Sequence, residues 1–212
     1  MPRPSAAPLF PRSFAAEAGV RPDFSRIAEA VSPQARVLDL GCGDGALLDY
    51  LKQARDIHGY GVEISDANIA KCMSRGVNVI QMNLEEGLSV FASDSFDFVI
   101  LSQTLQTIRK SERVIHEMLR VGRQGIVTFP NFGYWRHRWQ LLTGRMPVSE
   151  TLPYQWYNTP NVHLCTIKDF ESFCGNQDIH ILDRIIMTHD RTITALPNIL
   201  GSLAVYRFET LA

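Results

Sequence analysis

The sequence predicts an α/β fold built on a doubly wound, mostly parallel sheet, and two patterns carry that prediction. The run Arg36-Val-Leu-Asp-Leu-Gly-Cys-Gly-Asp-Gly45 passes from a short apolar stretch, Val37 to Leu40, into glycines. It continues as the helical pattern Ala46-Leu-Leu-Asp-Tyr-Leu51. The same alternation of apolar strand and amphipathic helix then recurs until five strands are in place. At 212 residues the chain suits one domain with an insertion or a tail. The expected division is a flexible tail over residues 1–21 and a single domain over 22–212, with an aromatic-rich insertion at 131–163.

Pro2, Pro4, Pro8 and Pro11 among small residues give the tail its loose character, and Phe10 and Phe14 carry no spacing signal. Asp23 to Val31 reads as a short helix with Phe24, Ile27 and Val31 on one side, ended by Pro33. After the glycines, a helix over about Asp44 to Ala54 leads to a second strand, Ile57 to Glu63. Ser65 or Asp66 caps the next helix, which turns Ile69, Cys72 and Met73 to the sheet and stops at Gly76. Val77 to Met82 is the third strand. Ser95 to Leu101 is the fourth, and it ends in the polar run Ser102-Gln-Thr-Leu-Gln106. Ser111 caps a helix bearing Val114, Ile115, Met118 and Leu119, with Gly122 at its end, and Gln124 to Phe129 is the fifth strand. Thr166 and Asp169 form a capping box for a helix reaching Cys174. Two later strands, Ile179 to Thr188 and Leu203 to Phe208, close the chain.

A strand that breaks into a helix through residues without Cβ atoms brings backbone close to a ligand, which marks a nucleotide-type site. Gly41-x-Gly43-x-x-Ala46 also fits the permissive dinucleotide fingerprint, so NAD competes, as does a glycine turn with no ligand. Three features favour S-adenosylmethionine (AdoMet) or its product S-adenosylhomocysteine. Asp39 lies in the strand two residues before the first glycine, placed to face a cationic amino-acid group. Gly45 extends the loop to G-x-G-x-G. AdoMet also has no pyrophosphate, so it needs room for a carboxypropyl tail. Glu63, at the end of the second strand, is placed to accept hydrogen bonds from a ribose diol, a logic that serves either nucleotide. Ser102 leaves the carboxyl end of the central strand, where open α/β sheets form their ligand crevice.

Composition narrows the class. The net charge of −1 gives no global pull towards nucleic acid or membrane. No apolar run approaches the roughly 18 residues of a membrane span, and the N-terminus shows no signal-peptide pattern. Cys42, Cys72, Cys165 and Cys174 show no C-x-x-C pairing, which predicts neither a metal site nor a disulfide framework and fits a reducing cytoplasm.

The insertion holds Trp135, Trp139 and Trp156, all the tryptophans of the chain, with Arg136, Arg138 and Arg145 interleaved. Three readings compete: stacking on nucleic acid, which the sparse positive charge disfavours; a lid over a small substrate, using Tyr154, Tyr157, Asn158 or His163; and a protein-docking surface, for which Trp, Tyr and Arg are the enriched types. A flap that buries its own aromatics is compatible with the last two.

The glycine motif resembles motif I of class I AdoMet-dependent methyltransferases. That resemblance implies a Rossmann-like sheet of seven strands with the last one antiparallel. It also implies cofactor contacts from Asp39, Gly41, Cys42, Gly43 and Gly45, with Glu63 and Ile64 at the ribose. Asn83 and Leu84 would lie at the adenine; the family commonly has Asp where Asn83 stands, although an amide both donates and accepts. Longer strings are more specific: Phe129-Pro-Asn-Phe-Gly-Tyr-Trp-Arg-His-Arg-Trp139, Leu152-Pro-Tyr-Gln-Trp-Tyr-Asn-Thr-Pro-Asn161 and His163-Leu-Cys-Thr-Ile-Lys-Asp-Phe-Glu171. With Ser102-Gln-Thr-Leu-Gln106 they resemble the methionine biosynthesis protein MetW family over residues 35–208. The resemblance implies a methyltransferase-like protein of methionine biosynthesis working with a homoserine O-acyltransferase that depends on it. Tyr134, Trp135, Arg138, Tyr154, Trp156 and Tyr157 are then the expected substrate or partner flap, and a homodimer is left open. An active methyltransferase on a small molecule is the alternative.

Methyl transfer from a sulfonium is an in-line displacement that positioning and a general base can support. His163 is the candidate base, with a structural hydrogen-bonding role as its alternative. There is no Asn/Asp-Pro-Pro-Tyr signature and no Pro-Cys nucleophile. The chain also lacks a G-x-S-x-G elbow, so it does not carry acyl transfer alone.

Overall fold

A computed structural model describes residues 21–211; the tail prolines, Phe10 and Phe14 lie outside the described residues. The elements in order are α1 (Pro22–Ala30), β1 (Arg36–Leu40), α2 (Ala46–Arg55), β2 (His58–Glu63), α3 (Asp66–Ser74) and β3 (Asn78–Gln81). They continue with β4 (Phe96–Ser102), α4 (Ser111–Val121), β5 (Gly122–Pro130), α5 (Trp135–Leu142) and α6 (Ile167–Asn176). The chain closes with β6 (Ile179–Thr188), β7 (Arg191–Thr192), α7 (Pro197–Leu200) and β8 (Leu203–Thr210).

One eight-stranded sheet has the order β3-β2-β1-β4-β5-β8-β6-β7. β1 to β5 pair in parallel, while β8 inserts antiparallel between β5 and β6. The expected seven strands are present, and the additional β7 is a two-residue edge strand paired to β6. β4 lies near the centre, and Val99, Ile100 and Leu101 have no exposed surface, as a strand covered by helices on both faces requires.

Side chains alternate across the sheet, and this alternation positions the site. Leu38, Leu40, Val99, Leu101, Val127 and Phe129 share a core with α4, α6 and the inner face of β8. Val37, Phe98, Ile100 and Ile126 pack on the other face against α1 and α2. Full burial stabilises each such side chain by roughly 1.5–3 kcal/mol. α6 is fixed by aromatic contacts: the Phe170 ring lies 5.1 Å from Phe129 and 4.8 Å from Tyr206. The Tyr206 hydroxyl donates to Glu171 at 2.8 Å.

The Thr166–Asp169 capping box forms with both reciprocal hydrogen bonds. Three local expectations need correction. Met73 is 71 % exposed, because Cys72 takes the inward position of α3 and the next residue turns about 100° away from it. Ser111 is the first helical residue rather than the cap; Lys110 occupies that position, with no side-chain cap bond. Ser65 is the N-cap of α3, but its hydroxyl makes no cap bond.

Within the insertion, α5 carries a fully buried histidine. His137 Nδ1 lies 3.2 Å from the Asn131 carbonyl and Nε2 lies 2.9 Å from Ser149 Oγ. Burial holds its imidazole below the ordinary value of 6.5. Asn131, also fully buried, donates to the Gly201 carbonyl at 2.7 Å and accepts from the Gly133 amide at 3.0 Å, which ties the start of the insertion to the end of the sheet.

Candidate ligand cleft

A cleft of about 480 Å³ opens at the carboxyl ends of β1 and β4, on the α1–α2 face of the sheet. Asp39, Gly41, Cys42, Gly43 and Ser102, five of the residues expected at a cofactor, line it together with Arg21, Phe24, Asp44, Asp49, Tyr50 and Arg75.

The glycine loop is held from within. Gly41 and Gly43 have φ of 70° and 57°, in the left-handed region that glycine adopts without strain. A Cβ on Gly41 would also sit 2.7 Å from Thr104 Cγ2. The amides of Gly41 and Cys42 donate to the Val62 carbonyl at 2.8 and 3.0 Å, and Gly43 donates to Glu63 Oε2 at 2.9 Å. Gly45 donates to the Cys42 carbonyl, and Ala46 to Asp44 Oδ1. A pyrophosphate needs free amides at this turn, and these five are engaged. Three carboxylates, Asp39, Asp44 and Asp49, line the cleft with two guanidinium groups, Arg21 and Arg75, and Arg75 pairs with Asp44 at 2.8 Å. The engaged amides weigh against a pyrophosphate at this turn.

Asp39 is the chemical centre. It is 2 % exposed, and its Oδ1 is fully buried without a hydrogen-bond partner. Burial pushes its carboxyl up from 3.8 to about 7; the Arg21 guanidinium opposes the rise, while Glu63 and Asp23 add to it. An unpaired buried acceptor costs roughly 1–3 kcal/mol, a cost that protonation of the carboxyl lowers.

Arg21 escapes the sequence reading, which assigns it to the tail. Its guanidinium donates to Asp23 at 3.1 and 2.5 Å and to Ser102 Oγ at 2.6 Å. Asp23, fully buried, also accepts from the hydroxyls of Ser102 and Thr128, each at 3.2 Å. Arg21 stands at the N-cap position of α1, one residue before Pro22, without a side-chain cap bond, and nothing in that position hints at a ligand site.

The other candidates lie around the cleft rather than in its lining. Glu63 already accepts the amides of Gly43, Ile64 and Ser65, each at 2.9 Å, which fills three of about four acceptor positions on a carboxylate. Gly45 is the N-cap of α2. Ile64 is 60 % exposed at the tip of β2. Asn83 accepts from the Glu85 amide at 3.0 Å and opens the single-turn helix Leu84–Glu86. Cys42 and Cys72 are both buried with Sγ atoms 3.8 Å apart, and burial raises both thiols above their usual range, so neither is a ready nucleophile.

Of the flap residues, Tyr134 is buried. Trp135 and Tyr154 are each 47 % exposed, Trp156 72 % and Tyr157 70 %. Arg138 Nε donates to the Gly133 carbonyl, which fixes the base of α5. None of these six lines the cleft. His163 does not line it either; its Nε2 lies 3.0 Å from the Arg109 carbonyl, beside a separate cavity. Among the described residues no group of three His, Cys, Asp or Glu could hold a metal, and no helix is long and apolar enough to cross a membrane.

The strand order, the inserted antiparallel β8 and the cleft at the glycine loop define a class I methyltransferase-like fold. Solved structures agree at the level of fold. A methyltransferase from Thermotoga maritima, described as a possible histamine N-methyltransferase, superposes with a TM-score of 0.62 at 18 % identity, covering 88 % of this chain and 86 % of that one. A TehB-like AdoMet-dependent methyltransferase from Corynebacterium glutamicum gives 0.61 at 14 % identity, covering 93 % of each. The family model for methionine biosynthesis protein MetW matches residues 21–208, and the chain belongs to that family. A bifunctional methionine biosynthesis protein MetXA/MetW from Rhodopirellula baltica is 36 % identical over 179 residues. The match covers 80 % of this chain but only 29 % of that relative's length.

Proposed function

We propose that this protein binds AdoMet, or S-adenosylhomocysteine, in the cleft and acts in the cytoplasm with a homoserine O-acyltransferase of methionine biosynthesis. The single observation that carries the ligand half is the buried, unpaired Oδ1 of Asp39 in the same cleft as the Arg21 guanidinium. AdoMet ends in a zwitterionic amino acid. Its ammonium supplies the donor that Asp39 lacks, and its carboxylate pairs with Arg21. The glycines leave room for the chain between, Ser102 borders the sulfonium, and Glu63 with Ile64, Asn83 and Leu84 meets the ribose and adenine. AdoMet supplies an electrophilic methyl group when bound. The chain's own residues orient the amino-acid end and shield it from water.

The partnership rests on the relative in which a MetW-type segment is joined to a MetXA segment in one polypeptide. Fusion makes the local concentration of two modules high, which is useful when they must touch. The exposed aromatic run of the insertion, with Trp135, Tyr154, Trp156 and Tyr157, is the face we assign to that contact, since such residues dominate interface energetics.

The test is co-purification with the homoserine O-acyltransferase of the same organism, followed by acyl-transfer assays with and without this chain and with added AdoMet. A rate that requires this chain supports the partnership, and equal rates with and without it reject it. Conversion of AdoMet to S-adenosylhomocysteine that tracks an added acceptor would instead establish the protein as a methyltransferase in its own right.

A further inference from the structure

The segment that follows β4, Gln103 to Thr107, ties the ligand cleft to the insertion. On the cleft side, Ser102 lines the cleft and accepts from Arg21 at 2.6 Å. Thr104 lies against Gly41, where a Cβ would meet Thr104 Cγ2 at 2.7 Å. On the insertion side, the Gln106 carbonyl accepts the amides of Val162 and His163 at 2.8 and 3.0 Å. The Gln106 side chain joins the two sides, because its amide nitrogen donates to the Gln103 carbonyl at 2.7 Å. Each step from the glycine loop to His163 is therefore a hydrogen bond, a direct contact or the chain itself.

Three features distinguish this segment from a rigid strut. Gln103 has φ of 50°, a left-handed conformation that is costly for a residue with a Cβ. Gln106 Oε1 is fully buried and has no partner among the described residues, so it finds a donor only if the segment moves. Room to move is present as well. A cavity of about 340 Å³, lined by Leu105, Gln106, Phe129 and Phe170, leaves the segment without close packing on that side. Strain, an unmet hydrogen bond and free volume in one short segment are what a two-state element needs.

We propose that Gln103–Thr107 couples the two sites, so that AdoMet in the cleft fixes the segment and with it the Val162–His163 end of the partner-docking insertion. The inference rests on the reading of the cleft as an AdoMet site. A ligand lying against Gly41 and Ser102 restrains one end of the segment, and restraint at one end of a two-state element biases the other. Coupling is reciprocal, so a partner that holds the insertion tightens AdoMet by the same factor.

Backbone amide resonances of the full chain are followed through an AdoMet titration, beside calorimetry of the same samples. Gly43 should shift as the cleft fills. Val162 and His163 should shift with the same midpoint, although neither lines the cleft. Gln106→Leu, which removes the bond to the Gln103 carbonyl, should keep the binding heat and the Gly43 shift but lose the response of Val162 and His163. Should that variant not fold, relaxation dispersion on the wild type decides: exchange broadening over Gln103–Thr107 in the free chain should disappear at saturating AdoMet. Binding heat with Val162 and His163 unmoved, a response that survives Gln106→Leu, or broadening that is absent or indifferent to AdoMet would each overturn the coupling alone. Absence of binding heat would overturn the ligand reading, and the coupling with it.

Discussion

Arg21 donates a 2.6 Å hydrogen bond to the hydroxyl of Ser102, joining the start of α1 to the carboxyl end of the central strand. The same guanidinium neutralises Asp23, which has no exposed surface. Removing one partner of such a pair leaves a buried charge, although Arg21 itself is 41 % exposed and water screens part of the effect. Arg21→Ala should therefore lower stability by about 1–3 kcal/mol in urea unfolding, and the double change Arg21→Met with Asp23→Leu should lower it less. An Arg21→Ala protein as stable as wild type would show that Asp23 has no need of this partner.

Asp39 predicts a conflict between stability and binding. Its folded pKa, about 7, lies above the ordinary 3.8, so folding favours the protonated form. The stability it contributes is complete below pH of about 4 and is lost as pH rises through about 7. At pH 8 Asp39→Asn should then be more stable than wild type, by an upper bound of roughly 4 kcal/mol set by the rise in pKa, while at pH 4 the two should converge. Denaturant unfolding at the two pH values measures the difference directly.

Glu63 holds the loop. Glu63→Ala strips acceptors from the amides of Gly43, Ile64 and Ser65. Amide hydrogen exchange at those positions should accelerate by about tenfold or more, while exchange in the β4 core stays unchanged. Unchanged protection at Gly43 would contradict the contact.

His137 makes the insertion acid-sensitive. Because burial keeps its folded pKa below 6.5, the unfolded chain takes up a proton first, and stability falls as pH drops below about 6.5. Trp135 and Trp139 flank it on α5, so tryptophan fluorescence should report loosening as pH is lowered below 6.5 that is absent in His137→Gln. A pH-independent signal in the wild type would remove the histidine from this role.

Much of the sheet is readable from residue pattern. Val37 to Leu40, Phe98 to Leu101 and Ile126 to Phe129 are short apolar-rich runs, broken only by Asp39 and Thr128 and followed by glycine, a polar residue or proline, so strands are the economical reading. The placement of β8 between β5 and β6 is a long-range pairing, which periodicity does not encode; family resemblance supplied it. α5 escaped because Trp-Arg-His-Arg-Trp-Gln-Leu-Leu has no capping residue and buries only His137. Asp39 and the glycines were legible because their chemistry is local to one loop. Arg21 was not, because its partner Ser102 and the neighbouring Asp39 are distant in sequence and only the folded sheet brings the three to one cleft.

Calorimetric titration of the pure protein with AdoMet, over pH 5.5 to 8.5 and beside Asp39→Asn, tests the ligand cleft most directly. Ionised Asp39 should be the form that binds the ammonium, so affinity should rise by up to about tenfold per pH unit below 7 and level off above it. Asp39→Asn should bind at least about tenfold more weakly at pH 8, with a flat pH profile. Absence of binding heat for AdoMet and for S-adenosylhomocysteine, or an Asp39→Asn protein that binds as tightly as wild type, would contradict the assignment.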